Sequence, residues 1–179
     1  MALRKIMPEY IGNLDINKFI SLDLLNISLD FNKLSEEILE NNVKIDLNPL
    51  HTNHEDTILP KDLPNSEISK FLKIINDFFK KDNLKLAGVW SHVHYPLEST
   101  NTHNHYENHH QKSFVFYVNV PLDSGKFVID LSIINGPRIP ISPVQGNLLL
   151  FPPWLPHLVT KNYANKPRIS ISGNLEVLN

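Results

Sequence analysis

The chain has 179 residues, 41% of them apolar, and a formal charge of −2. That length suits one domain with a real core, and that charge argues against broad attraction to nucleic acid or anionic membrane. With no cysteine in the sequence, disulfides, thiolate metal sites and Cys nucleophiles are excluded, so any metal must be held by His, Asp or Glu.

The first residues, from Met1 to Pro8, lack the apolar core of a signal peptide, and no run reaches the ~18 apolar residues of a membrane span. The expectation is a soluble protein of the cytoplasm (of the host cytoplasm, were the source viral). The first half reads as helical or mixed. Residues 34–39 carry a short amphipathic helix, with Leu34, Ile38 and Leu39 opposite Glu36, Glu37 and Glu40. Residues 41–64, rich in Asn, Asp, Pro and His, read as a loop. Ser66 then reads as an N-cap of a helix running to about Lys81, with Ile68, Phe71, Leu72, Ile75, Phe78 and Phe79 as its apolar stripe. This helix is expected to pack on the outside of a sheet.

From Leu84 onward the apolar period is two. Strands are predicted over residues 86–95, 113–120, 126–134, 147–151 and 168–177, with turns at 121–125, 135–137 and 142–146. Short strands punctuated by turns point to a mainly β domain with flanking helices, a jelly roll or barrel. The helical half is expected to buttress the β half within a single domain spanning residues 1–179.

Six of the nine histidines fall between His92 and His110, and His157 follows the apolar run at 148–152. Close-set imidazoles joined by a remote one on a later strand are how a β-barrel builds a metal site. Residues at i and i+2 of a strand share a face, so two pairs are candidates, His103 with His105 and His105 with Glu107. The second pair plus His157 would make the two-His, one-carboxylate triad of non-haem Fe(II) oxygenases, and the first a three-His site. His109 and His110 read as solvated loop residues, as do His51 and His54, while His92 and His94 could line a pocket or face outward. Eleven residues after His157, Arg168 opens an alternating strand in which Arg168, Ser170, Ser172 and Asn174 share a polar face. Such a face is either solvent-exposed or a polar cavity. In a cavity, the guanidinium would suit a planar carboxylate with two parallel hydrogen bonds.

Five stretches together resemble the 2-oxoglutarate- and Fe(II)-dependent oxygenases, most of all the small phage- and marine-bacteria-type, prolyl-hydroxylase-like branch. They are Trp90 with a following His-x-His; residues 113–121; residues 141–143 with 146–152; residues 155–159; and residues 168–174. The resemblance covers roughly residues 85–174, about half the chain. It implies a double-stranded β-helix, a cupin-like barrel, as the core over 85–179, with 1–84 as its helical or mixed buttress. It implies Fe(II), 2-oxoglutarate and O2, with hydroxylation of a C–H bond. By position His157 is the distal metal ligand and Arg168 the arginine that binds the far carboxylate of 2-oxoglutarate. Tyr117 is placed on the same carboxylate, and Ser170 and Asn174 in the same pocket. Spacing counted from Trp90 favours His103 and His105 as the remaining ligands, whereas spacing counted back from Phe116 and Tyr117 favours His105 and Glu107. The assignment adopted is His103, His105 and His157, with Glu107 as the alternative ligand. Relatives act on prolyl side chains, other peptide residues, nucleobases and small metabolites, so the expected substrate is left open between a peptide and a small metabolite. Residues 41–64 and 97–102 are candidate lids.

Two other readings stand beside this one. A cupin would carry a Glu four or five residues after His-x-His, where this chain has His109 and His110. A non-catalytic jelly roll, of a virion or binding carbohydrate, would suit Trp154, Tyr95 and Tyr163 as exposed aromatics.

Overall fold

A computed structural model of the chain describes residues 20–25, 27–41, 55–59, 64–105 and 110–178. Within them run β1 (Ser21–Leu24), α1 (Phe31–Glu40), β2 (Glu55–Ile58), α2 (Glu67–Lys80), β3 (Leu84–His94), β4 (Thr100–His103) and β5 (Lys112–Asn119). β6 (Phe127–Asp130), a 3-10 turn (Ser132–Ile134), β7 (Arg138–Ile141), β8 (Asn147–Phe151), β9 (His157–Val159) and β10 (Arg168–Val177) follow. The strands form two antiparallel sheets, a larger one ordered β1-β8-β5-β10-β3-β2 and a smaller one ordered β4-β9-β6-β7.

Helix α2 starts at the expected Ser66 cap, whereas α1 starts at Phe31, ahead of the expected 34–39, on a cap at Asp30. The Asp30 carboxylate accepts from the backbone N–H groups of Asn32 and Lys33, and the Ser66 hydroxyl accepts from that of Ser69. The helices also cap each other. Glu67 accepts from the Asp30 N–H at 3.1 Å, and Glu37 accepts from the Ile68 N–H at 3.0 Å. Lys70 donates to Glu67 as well.

Period-two alternation gives the larger sheet two apolar faces. Phe114, Phe116, Val118, Ile169 and Ile171 point outward and pack under Ile68, Phe71, Ile75 and Phe79 of α2, with Leu34 and Ile38 of α1. The rings of Phe71 and Phe116 lie 4.9 Å apart, and those of Phe79 and Phe114 5.4 Å apart. Gly173 makes room for this layer, since a Cβ there would sit 2.5 Å from the Phe114 ring. The opposite face carries Val115, Tyr117, Leu149 and Phe151 into a second core between the sheets, where they meet Phe127, Ile129, Ile139 and Ile141. The outer face is therefore covered by the two helices, and the inner face leaves space for a site.

Several elements differ from the sequence reading. Within the expected loop at 41–64, residues 55–58 pair with β3 as an edge strand. β1 forms the other edge, against β8. Both are four residues long, too short for alternation to be read. The strand expected over 126–134 stops at Asp130, because the Asp130 carboxylate accepts from the Ser132 N–H at 3.1 Å and hydroxyl at 2.5 Å, turning the chain. Residues 138–141, left between two turns, form β7. The candidate lid at 97–102 is in part β4, with Thr100 buried and the Leu97 N–H bonded to the Asn162 carbonyl. No described helix is long and apolar enough to cross a membrane.

Candidate functional site

The smaller sheet brings the histidines together. β4 and β9 pair antiparallel with His103 directly opposite His157, and their ring centroids lie 4.2 Å apart. The His105 ring is 5.1 Å from each of the other two. One ligand atom from each of His103, His105 and His157 falls within 4.8 Å of the others, a spacing that could hold one metal ion.

Backbone carbonyls select which nitrogens face inward. His103 Nδ1 lies 2.9 Å from the Asn101 carbonyl oxygen, and His157 Nδ1 lies 2.9 Å from that of Leu155. A carbonyl oxygen can only accept, so both Nδ1 atoms carry the proton and both Nε2 lone pairs are left for a metal. His105 is anchored through its backbone, whose N–H donates to the Pro153 carbonyl at 2.7 Å. Burial, followed by the neighbouring His103 and His105, pushes the His157 pKa well below its ordinary value. The imidazole is thus held neutral, the form that ligates metals.

Across from the imidazoles, β10 lays Arg168, Ser170 and Ser172 along the cavity wall, so the polar face of that strand is the inner one. His92, Thr100, Phe127, Phe151 and Val159 complete much of the lining. Among the described residues no carboxylate lines it. Arg168 is 1% exposed, yet its Nε and one Nη have no hydrogen-bond partner among the described residues. The hydroxyls of Tyr117, Ser170 and Ser172 are buried and equally unpartnered. Burial pulls Arg168 from 12.5 down to about 10 and pushes Tyr117 from 10.0 up to about 12, each charge slightly opposing the other's shift. A buried guanidinium without an anion is costly. The wall is therefore complementary to a small anion that none of the described residues provides.

The other sequence candidates are spread out. Tyr117 pairs with Ser170 across β5 and β10 and lies buried near Arg168. Asn174 stands six residues along β10 from Arg168, about 20 Å away. There its Oδ1 accepts from the Ser113 hydroxyl at 2.7 Å. Glu107 and His109, like His51 and His54, lie outside the described residues. His92 lines the cavity, with its Nε2 accepting from the Trp90 indole at 2.7 Å, while His94 is buried behind it, bonded to Thr100 at 2.8 Å. Trp154 and Tyr163 are exposed, and Tyr95 packs against the outer core. Sequence reasoning missed Thr100 and Phe127 as wall residues. Phe127, which stacks on His157 at 5.0 Å, carried a signal in its alternation with Ile129 on β6.

No protein-family model matches the chain, and no curated protein matches its sequence. Solved structures do match. A prolyl-4-hydroxylase from Pseudomonas putida superposes with a TM-score of 0.70 at 16% identity, over 90% of this chain and 95% of that one. A prolyl hydroxylase from Trichoplax adhaerens, in complex with a hypoxia inducible factor oxygen degradation domain peptide fragment, gives 0.69 at 15% identity, over 89% and 84%. A viral collagen prolyl hydroxylase from Paramecium Bursaria Chlorella virus-1, as its 2-oxoglutarate complex, gives 0.59 at 14% identity, over 88% and 95%. At these identities the likeness is one of fold, and the chain has the jelly-roll, double-stranded β-helix fold of these hydroxylases.

Proposed function

We propose that the chain is an Fe(II)- and 2-oxoglutarate-dependent oxygenase that hydroxylates a C–H bond of a peptide or small-molecule substrate. The observation that carries this reading is the buried Arg168, whose Nε and one Nη lack partners among the described residues, on the wall facing three clustered imidazoles. His103, His105 and His157 would hold the iron, an ion suited to imidazole and oxygen donors. With three protein ligands, such an ion would keep room for a chelating acid and for O2. Arg168 would take the far carboxylate of 2-oxoglutarate in a two-point bond, with the hydroxyls of Tyr117 and Ser170 completing the shell. A monocarboxylate would leave Arg168 unpaired, so the wall selects a dicarboxylate. When bound, iron with 2-oxoglutarate and O2 supplies the oxidation, in which the oxo acid loses CO2 to become succinate and one oxygen atom enters the C–H bond. The protein's part is to hold the ligands in register and to keep the wall dry. A cupin-type metal site would leave Arg168 without a role.

Anaerobic titration of the metal-free protein with Fe(II) and 2-oxoglutarate tests this. The expected result is a visible charge-transfer band that needs both components and is much weaker in Arg168→Ala. Iron binding without such a band would overturn the co-substrate assignment, and absence of iron binding would overturn the metal assignment.

A further inference from the structure

Asp130, outside the cavity, is tied to both chain segments that carry the facing imidazoles, to one through its buried carboxylate and to the other through its backbone N–H. Asp130, 3% exposed, ends β6 with its side chain on the face away from Phe127, Ile129 and the cavity. Its Oδ2 accepts from the Thr102 hydroxyl at 2.9 Å, and Thr102 immediately precedes His103. Its backbone N–H donates to the Pro156 carbonyl at 2.9 Å, and Pro156 immediately precedes His157. The carboxylate is itself fixed by the Ser132 N–H and hydroxyl on Oδ1 and by Arg138 Nη2 on Oδ2 at 3.0 Å.

We infer that Asp130 is a positioning residue for the metal centre, a clip that sets the separation of His103 and His157 through Thr102 and Pro156. This rests on the metal reading above. β9 is only three residues long, and β4 is held to it by a pairing that slips between Thr100 and His103. So short and irregular a ladder leaves the spacing of the two imidazoles weakly specified. Asp130 supplies the missing constraint from β6, reaching past the start of β9 to β4. Partners that orient metal ligands are typically worth 10–100-fold in metal affinity when removed. The present link is one step more remote, acting through the residues beside the ligands, so the low end of that range applies.

The test uses Co(II) alone, added to the metal-free full chain and followed by its visible d–d absorption. Asp130→Asn preserves shape but loses the charge. Thr102→Val removes only the bond to β4 and keeps the test available if Asp130→Asn does not fold. Each is expected to weaken Co(II) affinity by on the order of 10-fold and to change the d–d band shape. The double variant should be no weaker than Asp130→Asn alone. Ile75→Ala, buried in the core facing the helices and destabilised without touching the site, should keep wild-type affinity and spectrum. Wild-type Co(II) affinity and spectrum in both Asp130→Asn and Thr102→Val would overturn the inference while leaving the metal reading intact. An equal loss of affinity in Ile75→Ala would also overturn it, because the effect would then be one of stability. Failure of the wild-type protein to bind Co(II) would overturn the metal reading itself.

Discussion

Replacing Arg168 with Met separates a cation waiting for a ligand from one that holds the fold together. Burial lowers the Arg168 pKa from 12.5 to about 10. At 1.36 kcal/mol per tenfold change, carrying the charge inside the protein costs roughly 3 kcal/mol more than carrying it in water. The buried Nε and one Nη lack partners among the described residues, so none of those residues offsets that cost. Methionine is apolar, unbranched and adaptable, and fills much of the same space between Tyr117 and the cavity. The ligand-free Arg168→Met protein should therefore be more stable than wild type, by about 1–3 kcal/mol after allowance for imperfect packing. For a chain of this length that is roughly 2–4 °C in Tm for each kcal/mol. Urea unfolding in the presence of a chelator measures it, and the order should reverse once Fe(II) and 2-oxoglutarate are added, because only wild type gains from the dicarboxylate. A ligand-free variant less stable than wild type by 1 kcal/mol or more would show that the guanidinium is already satisfied, and the dicarboxylate assignment would lose its basis.

Other substitutions probe the frame around the site. Gly173→Ala places a Cβ 2.5 Å from the Phe114 ring and 2.6 Å from the Gly88 carbonyl oxygen. It should cost about 1–3 kcal/mol, read as a lower urea midpoint. Glu67 has its carboxyl pKa lowered, first by the bond from Lys70, so its contribution is present above the unfolded value near 4.5 and is lost as pH falls through the folded value. The stability gap between wild type and Glu67→Gln should accordingly be full at pH 7 and close on acidification, as followed by thermal melts across pH 3–7. His157 resists protonation when folded but takes up a proton near 6.5 when unfolded, so the metal-free protein should lose stability as pH falls below that value. His157→Phe should flatten that part of the profile, and an unchanged profile would refute the burial argument.

Much of the site was legible because strand alternation is a strong and local signal. Arg168, Ser170 and Ser172 had to share a face wherever β10 lay, and the apolar partners Ile169 and Ile171 could only face a core. Helix α2 was legible for the same reason at the 3.6-residue period, with Ser66 as its cap. The types of residue able to bind metal also followed from the chain alone, since it has nine histidines and no cysteine. Short elements were not legible. β1, β2, β4, β7 and β9 have three or four residues each, and at that length pairing with a neighbour decides the conformation. The sequence left open whether the Arg168 face met solvent or a cavity, and whether His103 joins His157. Both depended on contacts between residues far apart in the chain. The smaller sheet closing over β10 makes the Arg168 face an inner one, and the cross-strand pairing of β4 with β9 sets His103 opposite His157. Asp130 belongs to the same class, since its partners Thr102 and Arg138 lie 28 residues before it and 8 after, and only the folded chain brings them to one carboxylate.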